Sequence, residues 1–194
     1  LFNELKERGL IFQTSNEEAV KEYLSKKDGR FYIGFDPTAE SLHAGSLLPI
    51  IFMKRLEKAG LRPIVLVGGA TGLIGDPSGK SQERNLLDLK TIKKNVCKLK
   101  KQLSRFFSAP LSGAGSASGG DFLRFFRAKK VLFVDNYDWA KNISLIELLR
   151  DIGKYFTINE MISKESVQKR MATGISFTEF TYMILQAVDF LNLF

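Results

Sequence analysis

The chain of 194 residues contains one cysteine, Cys97, and one histidine, His43. A single cysteine excludes a disulfide within the chain and any site with several cysteine ligands, which is typical of a reducing compartment. A single histidine cannot by itself supply the three or four ligands that zinc requires. We therefore expect Cys97 to pack as a small core residue, and we expect no metal site.

Long hydrophobic runs are also lacking. The longest, such as residues 47–53 and 64–67, fall far short of the roughly 18 residues that a membrane helix needs. Residues 1–9 mix charged side chains with leucines and lack the apolar segment of a secretory signal. With 44% hydrophobic residues, the length favours one soluble domain over residues 1–194 and no membrane partner.

Acidic residues are scarce in one part of the chain. Between Lys80 and Lys130 there are 13 Lys and Arg against 3 acidic residues, whereas the whole chain has a net charge of +8. Such a basic stripe attracts phosphate backbones, but the solvated face of a helix has the same composition. Charge alone leaves both interpretations open.

The hydrophobic pattern alternates between strand and helix. Arg30–Phe35 is short, aromatic and β-branched, and the continuous apolar run at 63–67 is typical of a strand covered on both faces. Residues 45–59 have apolar side chains at helical spacing, and residues 131–135 form a third strand. This order predicts an α/β fold, a Rossmann-like open parallel sheet flanked by helices.

Other helices are predicted from caps and periodicity. A first helix spans 2–8, Ser15 with Glu18 caps the second, and an amphipathic helix spans 89–106. Further helices begin at the capping pairs Ser144 with Glu147 and Ser176 with Glu179. Residues 111–120 are rich in Gly and Ser and predict a flexible loop.

Two strand ends carry residues suited to nucleotide binding. The first has residues 34–38 followed by 43–46 at the start of a helix, where backbone N–H groups can face phosphate. The second has the glycine-rich residues 68–81. This segment lacks the spacing of a phosphate-binding P-loop, since Ile74 stands where that loop requires glycine. It also lacks the spacing of the dinucleotide fingerprint, which argues against a nicotinamide or flavin enzyme.

Six blocks in order resemble the tyrosyl-tRNA synthetases of bacterial and organellar type. The blocks are YIGFDPTA at 32–39, LHAG at 42–45, LVGGATGLIGDPSGK at 66–80, NYDW at 136–139, LRDIGK at 149–154 and GISFTEF at 174–180. The resemblance implies a class I synthetase that joins L-tyrosine to AMP and then transfers it to tRNA(Tyr). It also implies ATP with Mg²⁺ as the substrate complex, no tightly bound cofactor, a homodimer, and a bacterial cytoplasm or an organelle matrix.

The resemblance also implies roles for individual residues. Thr38, His43, Lys80 and Arg84 would act on the departing pyrophosphate. Gly34, Asp36, His43, Gly45 and Ser46 would bind ATP and the adenylate. Tyr32 and Asp189 would contact the phenolic hydroxyl of tyrosine, and Asp76, Tyr182 and Gln186 its ammonium group. The spacing of residues 182, 186 and 189 places them on one face of the last helix.

Two positions depart from the family pattern. Ser46 stands where a second histidine is usual, and Val188 stands where an aromatic residue is common. The pattern would also continue after Phe194 with a further strand, a lysine-rich loop and a tRNA-reading region. We therefore expect the chain to be a fragment that is inactive in aminoacylation alone.

Two alternative functions follow from the same residues. A tryptophan enzyme would have a similar site, although Tyr32 and Asp189 favour tyrosine. An RNA-binding module derived from a synthetase, without catalysis, would use the segment from Lys80 to Lys130. For the homodimer, the apolar seam at 89–106 and the helix near Leu145 both remain candidate interfaces.

Overall fold

The computed structural model of the chain describes residues 1–76, 86–108 and 131–194. Three strands are formed: β1 (Arg30–Phe35), β2 (Arg62–Val67) and β3 (Leu132–Asp135). They form one parallel sheet in the order β1-β2-β3. Each strand begins in one compact unit and ends in a second. The predicted α/β fold with a parallel sheet is confirmed.

Ten α-helices lie in the described residues. They are α1 (Phe2–Glu7), α2 (Glu17–Ser25), α3 (Leu47–Lys58), α4 (Thr71–Ile74), α5 (Leu89–Ser108), α6 (Tyr137–Ala140), α7 (Leu145–Glu147), α8 (Ile158–Ser163), α9 (Glu165–Met171) and α10 (Phe177–Leu193). A 3₁₀ turn at Ala44–Ser46 leads into α3, and a π turn at Leu148–Ile152 follows α7.

The first unit comprises residues 1–33, 42–65 and 101–134, as far as these are described. Leu5, Leu56 and Leu61 form its core, because each buries almost its whole side chain. Gly60 ends the turn after α3 with φ +107°, which a residue with a Cβ adopts only with strain.

The second unit comprises residues 34–41, 66–100 and 135–194, again as far as described. The buried part of α5 contributes Ile92, Val96 and Leu99, and α10 contributes Val188. Helices α4 and α10 pack against each other. This unit therefore holds the carboxyl ends of the three strands together with the last helix.

Several local predictions are confirmed and two are wrong. Ser144 and Ser176 cap α7 and α10 as expected. The second helix is capped by Asn16, which accepts from the backbone N–H of Ala19 at 3.0 Å, and not by Ser15. Asn caps a helix as well as Ser, so neighbouring candidates cannot be separated by type. Cys97 is exposed, because it follows Val96 and is turned away from the buried stripe.

The prediction of one domain over residues 1–194 stays a prediction. The predicted flexible loop at 111–120 lies outside the described residues. Within the described ranges, no helix is long and apolar enough to cross a membrane.

Candidate functional site

Asp36 directly follows β1, and both its carboxylate oxygens are hydrogen-bonded within the second unit. The hydroxyl of Thr71 donates to Oδ1 at 2.7 Å, and the phenol of Tyr182 donates to Oδ2 at 3.0 Å. Thr71 begins α4 and Tyr182 lies on α10. Asp36 therefore fixes the end of β1 to α4 through Thr71 and to α10 through Tyr182, and the resemblance places Tyr182 in the site.

Asn136 directly follows β3 and is completely buried. Its Oδ1 accepts from the backbone N–H of Ala70 at 2.7 Å, while its Nδ2 donates to Thr71 Oγ1 at 3.2 Å and to Asp189 Oδ2 at 3.1 Å. The indole N–H of Trp139 donates to Asp189 Oδ1 at 3.0 Å. Asp189, only 3% exposed, thus has a donor on each oxygen. We call Asp36, Thr71, Asn136, Trp139, Tyr182 and Asp189 the carboxylate network.

The glycines after β2 are required by the carboxylates of Asp36 and Asp135 at the ends of the other two strands. A Cβ on Gly68 would lie 2.0 Å from Asp36 Oδ1, and a Cβ on Gly69 would lie 2.2 Å from Asp135 Oδ1. Asp135 accepts from the backbone N–H groups of Gly69 at 3.2 Å and of Tyr137 at 3.0 Å. The two glycines therefore let the backbone after β2 approach carboxylates at the ends of the other strands.

Burial sets the protonation of two groups in the network. Burial raises the pKa of the Asp189 carboxyl, and the hydrogen bonds from Asn136 and Trp139 oppose that rise. Burial also raises the pKa of the Tyr182 phenol, and the negative charges of Asp36 and Asp76 add to it. Tyr182 is therefore neutral across the physiological range and remains a hydrogen-bond donor.

The last helix presents the three predicted residues unequally. Tyr182 is half-buried and Asp189 is buried in the network, whereas Gln186 is exposed. Asp76 is half-buried and its charge acts on Tyr182. The structure thus brings together Asp36, Asp76, Tyr182 and Asp189 in the second unit, and leaves Gln186 facing solvent.

Two further predicted residues of this unit lie on its surface. Gly34 and Thr38 are both exposed. A Cβ on Gly34 would meet only Leu66 Cδ2, at an ordinary 3.7 Å, so packing does not require glycine there. The surface beside Gly34 is open, which suits a ligand that lies close to the backbone.

The first unit contains the segment around His43. His43 and Gly45 are exposed and Ser46 is half-buried at the 3₁₀ turn before α3. A Cβ at position 45 would lie 2.9 Å from the His43 ring. Glycine at this position therefore avoids a clash with the imidazole. A cavity of about 370 Å³ lies in this unit, lined by His43 and Ser46 together with Arg105 and Phe106 among others.

Tyr32, predicted to contact the substrate hydroxyl, is half-buried on β1 in the first unit. Lys80 and Arg84, predicted to act on pyrophosphate, lie outside the described residues. Their roles stay predictions.

Sequence reasoning assigned no role to three residues of the network, Thr71, Asn136 and Trp139. Asn136 and Trp139 lie in one of the six blocks, and Thr71 lies in another. The position of Asn136 in the sequence could have indicated its role. Asn136 directly follows β3 as Asp36 directly follows β1, and the carboxyl ends of parallel strands meet at one edge of the sheet.

A second set of buried polar side chains joins α9 to the start of α10. Arg170 on α9 donates through Nη2 to Glu179 Oε2 at 3.0 Å and to the carbonyl of Gly174 at 3.1 Å. Both charged side chains are almost fully buried. Glu179 was predicted only as part of a helix cap, and its backbone N–H does donate to Ser176 Oγ at 3.2 Å.

The basic stripe is only partly described, since residues 77–85 and 109–130 are excluded. On α5, Lys94 pairs with Glu40 at 2.5 Å and Lys98 pairs with the same carboxylate. Lys93 lies over the ring of Tyr137, 5.5 Å from its centre. Several α5 cations thus have intramolecular partners.

Among the described residues, no group of three or more His, Cys, Asp or Glu side chains could hold a metal ion.

Comparisons with known proteins give the same family as the motifs. The family described as tRNA synthetases class I (W and Y) matches residues 24–194. The tyrosine–tRNA ligase of Streptococcus mutans is 51% identical over 190 residues, which cover 98% of this chain and 42% of the relative. That of Streptococcus agalactiae is 50% identical over 193 residues, covering 100% of this chain and 42% of the relative.

A solved structure agrees with these relatives. The C-terminally truncated mitochondrial tyrosyl-tRNA synthetase of Aspergillus nidulans superposes with a TM-score of 0.81 at 30% identity, over 99% of this chain and 53% of that one. The chain thus spans less than half the length of the two curated relatives. Because the family matches most of the chain and the fold agrees, this protein belongs to the class I tRNA synthetases of the tryptophan and tyrosine group.

Proposed function

We propose that this chain carries the amino-acid-activation site of a tyrosine–tRNA ligase. The carboxylate network carries the proposal, because it holds a buried aspartate, Asp189, in one orientation. A buried carboxylate that is fixed in this way suits recognition of a hydroxyl group on a substrate. The curated relatives at 50–51% identity are tyrosine–tRNA ligases, which supports tyrosine over tryptophan.

The proposed reaction has two steps. A carboxylate oxygen of L-tyrosine bonds to the α-phosphorus of ATP, and the bond from that phosphorus to pyrophosphate breaks. The tyrosyl group then passes from AMP to a hydroxyl of the terminal ribose of tRNA(Tyr). Such chemistry depends on placing reactants and stabilising charge, so the residues act mainly by position.

The amino acid would be recognised at two points. The neutral Tyr182 hydroxyl donates its hydrogen bond to Asp36, so its oxygen lone pairs remain to accept from the substrate ammonium group. Half-buried Asp76 supplies a negative charge beside it. At the other end, Asp189 would accept from the phenolic hydroxyl, with Asn136 and Trp139 fixing its oxygens. Gln186 and Tyr32 keep the roles that the resemblance implies.

The nucleotide would be recognised by residues that the resemblance names. Gly34 and Asp36 would line the adenylate, and exposed Thr38 would face pyrophosphate. His43, Gly45, Ser46, Lys80 and Arg84 complete this set. Mg²⁺ would enter with ATP as part of the substrate. A bacterial cytoplasm or an organelle matrix is the proposed location, in line with the bacterial and mitochondrial origin of the similar proteins.

We also propose a homodimer. The apolar side chains of α5 at 92, 96, 99 and 103 are buried, so only the ends of that seam, Leu89 and Phe106, are exposed to a partner. The alternative segment at 145–158 exposes Leu145, Ile146, Leu149, Tyr155 and Ile158, each by more than half. Large exposed apolar areas mark interaction surfaces, so this segment is the better candidate interface.

Calorimetric titration of the chain with L-tyrosine, L-phenylalanine and L-tryptophan tests the proposal. We expect tyrosine to bind and the other two to bind far more weakly, because neither presents a phenolic hydroxyl to the site. Preferential binding of tryptophan would assign the chain to the other branch of the family. Binding of structured RNA with no amino acid or nucleotide binding would favour the RNA-binding module.

A further inference from the structure

Asn95 is a polar residue within the buried stripe of α5. It is 2% exposed, and the stripe is otherwise apolar through Ile92, Val96 and Leu99. Its Nδ2 donates to the carbonyl oxygen of Pro37 at 2.9 Å. Both residues belong to the second unit. An amide thus occupies a position where the helix pattern alone would place a hydrophobic side chain.

Pro37 lies at the centre of the turn that follows β1. The backbone N–H of Thr38 donates to the carbonyl of Asp36 at 2.9 Å, which closes the turn around Pro37. The Pro37 side chain is fully buried. A carbonyl enclosed in this way needs a donor, and Asn95 supplies it.

The amide at position 95 is not optimal for the stability of α5. Within the described part of the chain, its Oδ1 is buried without a hydrogen-bond partner. An unsatisfied buried acceptor costs about 1–3 kcal/mol. An apolar side chain would avoid that cost but would leave the Pro37 carbonyl without its donor. The bond to Pro37 is therefore what accounts for asparagine at this position.

A second contact between α5 and the segment after this turn lies at the solvent-exposed surface. Glu40 pairs with Lys94 and Lys98, which lie on either side of Asn95 along α5. Exposed ion pairs contribute little to stability, because water and salt screen them. The buried amide is accordingly the main restraint that α5 places on the turn.

We infer that Asn95 is a positioning residue for nucleotide binding, acting through Pro37 on the exposed Thr38. This inference rests on the proposed function, in which Thr38 faces pyrophosphate. Asp36 has its own restraints from Thr71 and Tyr182. Loss of the amide therefore affects the nucleotide side of the site and leaves the tyrosine side in place.

The test compares Asn95→Leu, which removes the amide, with Val96→Ala, a control that changes buried packing at the adjacent position of α5 and keeps the amide. Affinities for a non-hydrolysable ATP analogue and for L-tyrosine are measured with each variant of the whole chain. Asn95→Leu is expected to weaken nucleotide binding about tenfold, the effect of one lost hydrogen bond, and tyrosine binding less than twofold. Val96→Ala is expected to change both affinities equally or not at all.

The Asn95→Asp variant provides a conservative rescue. A protonated carboxyl at this position can donate to the Pro37 carbonyl, whereas an ionised one cannot. Burial raises the pKa of a carboxyl. Nucleotide affinity of this variant, relative to the unmodified chain, is therefore expected to recover as the pH is lowered, and that of Asn95→Leu is not.

Equal weakening of both ligands by Asn95→Leu, or an Asn95→Asp variant that binds nucleotide as weakly as Asn95→Leu at every pH, would overturn the inference. If the unmodified chain binds neither ligand, the proposed function fails, and backbone amide NMR signals then test the positioning alone. Signals of Asp36, Thr38 and Ala39 are expected to shift in Asn95→Leu and to stay in place in Val96→Ala. Unchanged signals in Asn95→Leu would show that the amide does not position the turn.

Discussion

Asp189 is held by two neutral donors, the amide of Asn136 and the indole of Trp139. Neither donor neutralises its charge. Burial accordingly dominates, and the pKa of the carboxyl lies above its ordinary value. Among the described residues no cation pairs with this carboxylate. A buried carboxylate in such surroundings is costly to a folded protein, which supports the proposed binding role of Asp189.

Replacement of this carboxylate tests its proposed role at the level of one residue. Asp189→Ala is expected to weaken L-tyrosine binding by at least tenfold, because the phenolic hydroxyl loses an acceptor. Phenylalanine has no hydroxyl, so its weak binding is expected to change little. Calorimetric titration with both amino acids measures the difference. Equal losses for the two ligands would contradict the role of Asp189 at the hydroxyl.

The raised pKa of Asp189 predicts a pH dependence of the same discrimination. The ionised carboxylate accepts from the substrate hydroxyl, and protonation removes acceptor capacity. Because the pKa is raised, this loss is expected at a higher pH than for an ordinary aspartate, near 3.9. The affinity for tyrosine relative to the affinity for phenylalanine should fall as the pH is lowered towards the pKa of Asp189. A ratio that is constant down to pH 4 would contradict this prediction.

The start of helix α10 is fixed by a buried ion pair in addition to its Ser176 cap. The buried Arg170–Glu179 pair joins it to α9, and Arg170 also bonds the Gly174 carbonyl between the two helices. Three side-chain atoms of this pair have no partner among the described residues: Arg170 Nε, Arg170 Nη1 and Glu179 Oε1. The pair therefore specifies the orientation of the helix more than it stabilises the fold.

Removing one partner of this pair leaves a buried, unpaired charge. Glu179→Ala is expected to lower the free energy of unfolding by about 3–5 kcal/mol in denaturant titration. The neighbouring pair Lys169–Glu165 on α9 is exposed, so Glu165→Ala serves as the control and should show no comparable loss. Similar losses of unfolding free energy in the two variants would show that breaking the buried pair costs no more stability than breaking an exposed one.

The turn after β2 is the second element whose sequence is explained by packing. Gly68→Ala is expected to destabilise the chain by about 1–3 kcal/mol, because its Cβ would overlap the Asp36 carboxylate. The control is Gly34→Ala, whose Cβ meets Leu66 at 3.7 Å and should change stability by less than about 1 kcal/mol. Thermal unfolding compares them. Equal stability would mean that the turn adapts without cost.

At the scale of the whole molecule, the segment at 145–158 exposes five large apolar side chains, each by more than half. The sequence offered two candidate interfaces for a dimer, and most of the seam on α5 is buried within the chain. Homodimer interfaces are richer in apolar side chains than other surfaces. Segment 145–158 is therefore the place where a dimer should be disrupted.

Ile146→Glu is expected to shift a dimer towards the monomer in analytical ultracentrifugation, because it buries a charge in an apolar interface. Phe12→Glu makes the same kind of change at a side chain that is 92% exposed in the first unit, and it should leave association unchanged. A monomeric unmodified chain, or equal behaviour of the two variants, would contradict the proposed interface.

The sequence by itself determined the α/β class, the positions of β1, β2 and α10, and the family. These follow from local periodicity and from motif spacing, which neighbouring residues encode. It also placed Asp36, Tyr182 and Asp189 in one site by resemblance. It misplaced the cap at Ser15 and the burial of Cys97, because residue type alone does not separate adjacent positions.

Only the tertiary structure decided what those residues contact. Tyr182 bonds Asp36 across 146 positions, and Asn136 bonds Asp189 across 53. No local pattern encodes a partner at that distance, since it depends on which strand ends and helices the fold brings together. For the same reason the packing that requires glycine at 68, the bond of the buried amide at 95 and the burial of most of the α5 seam are visible only in the folded chain.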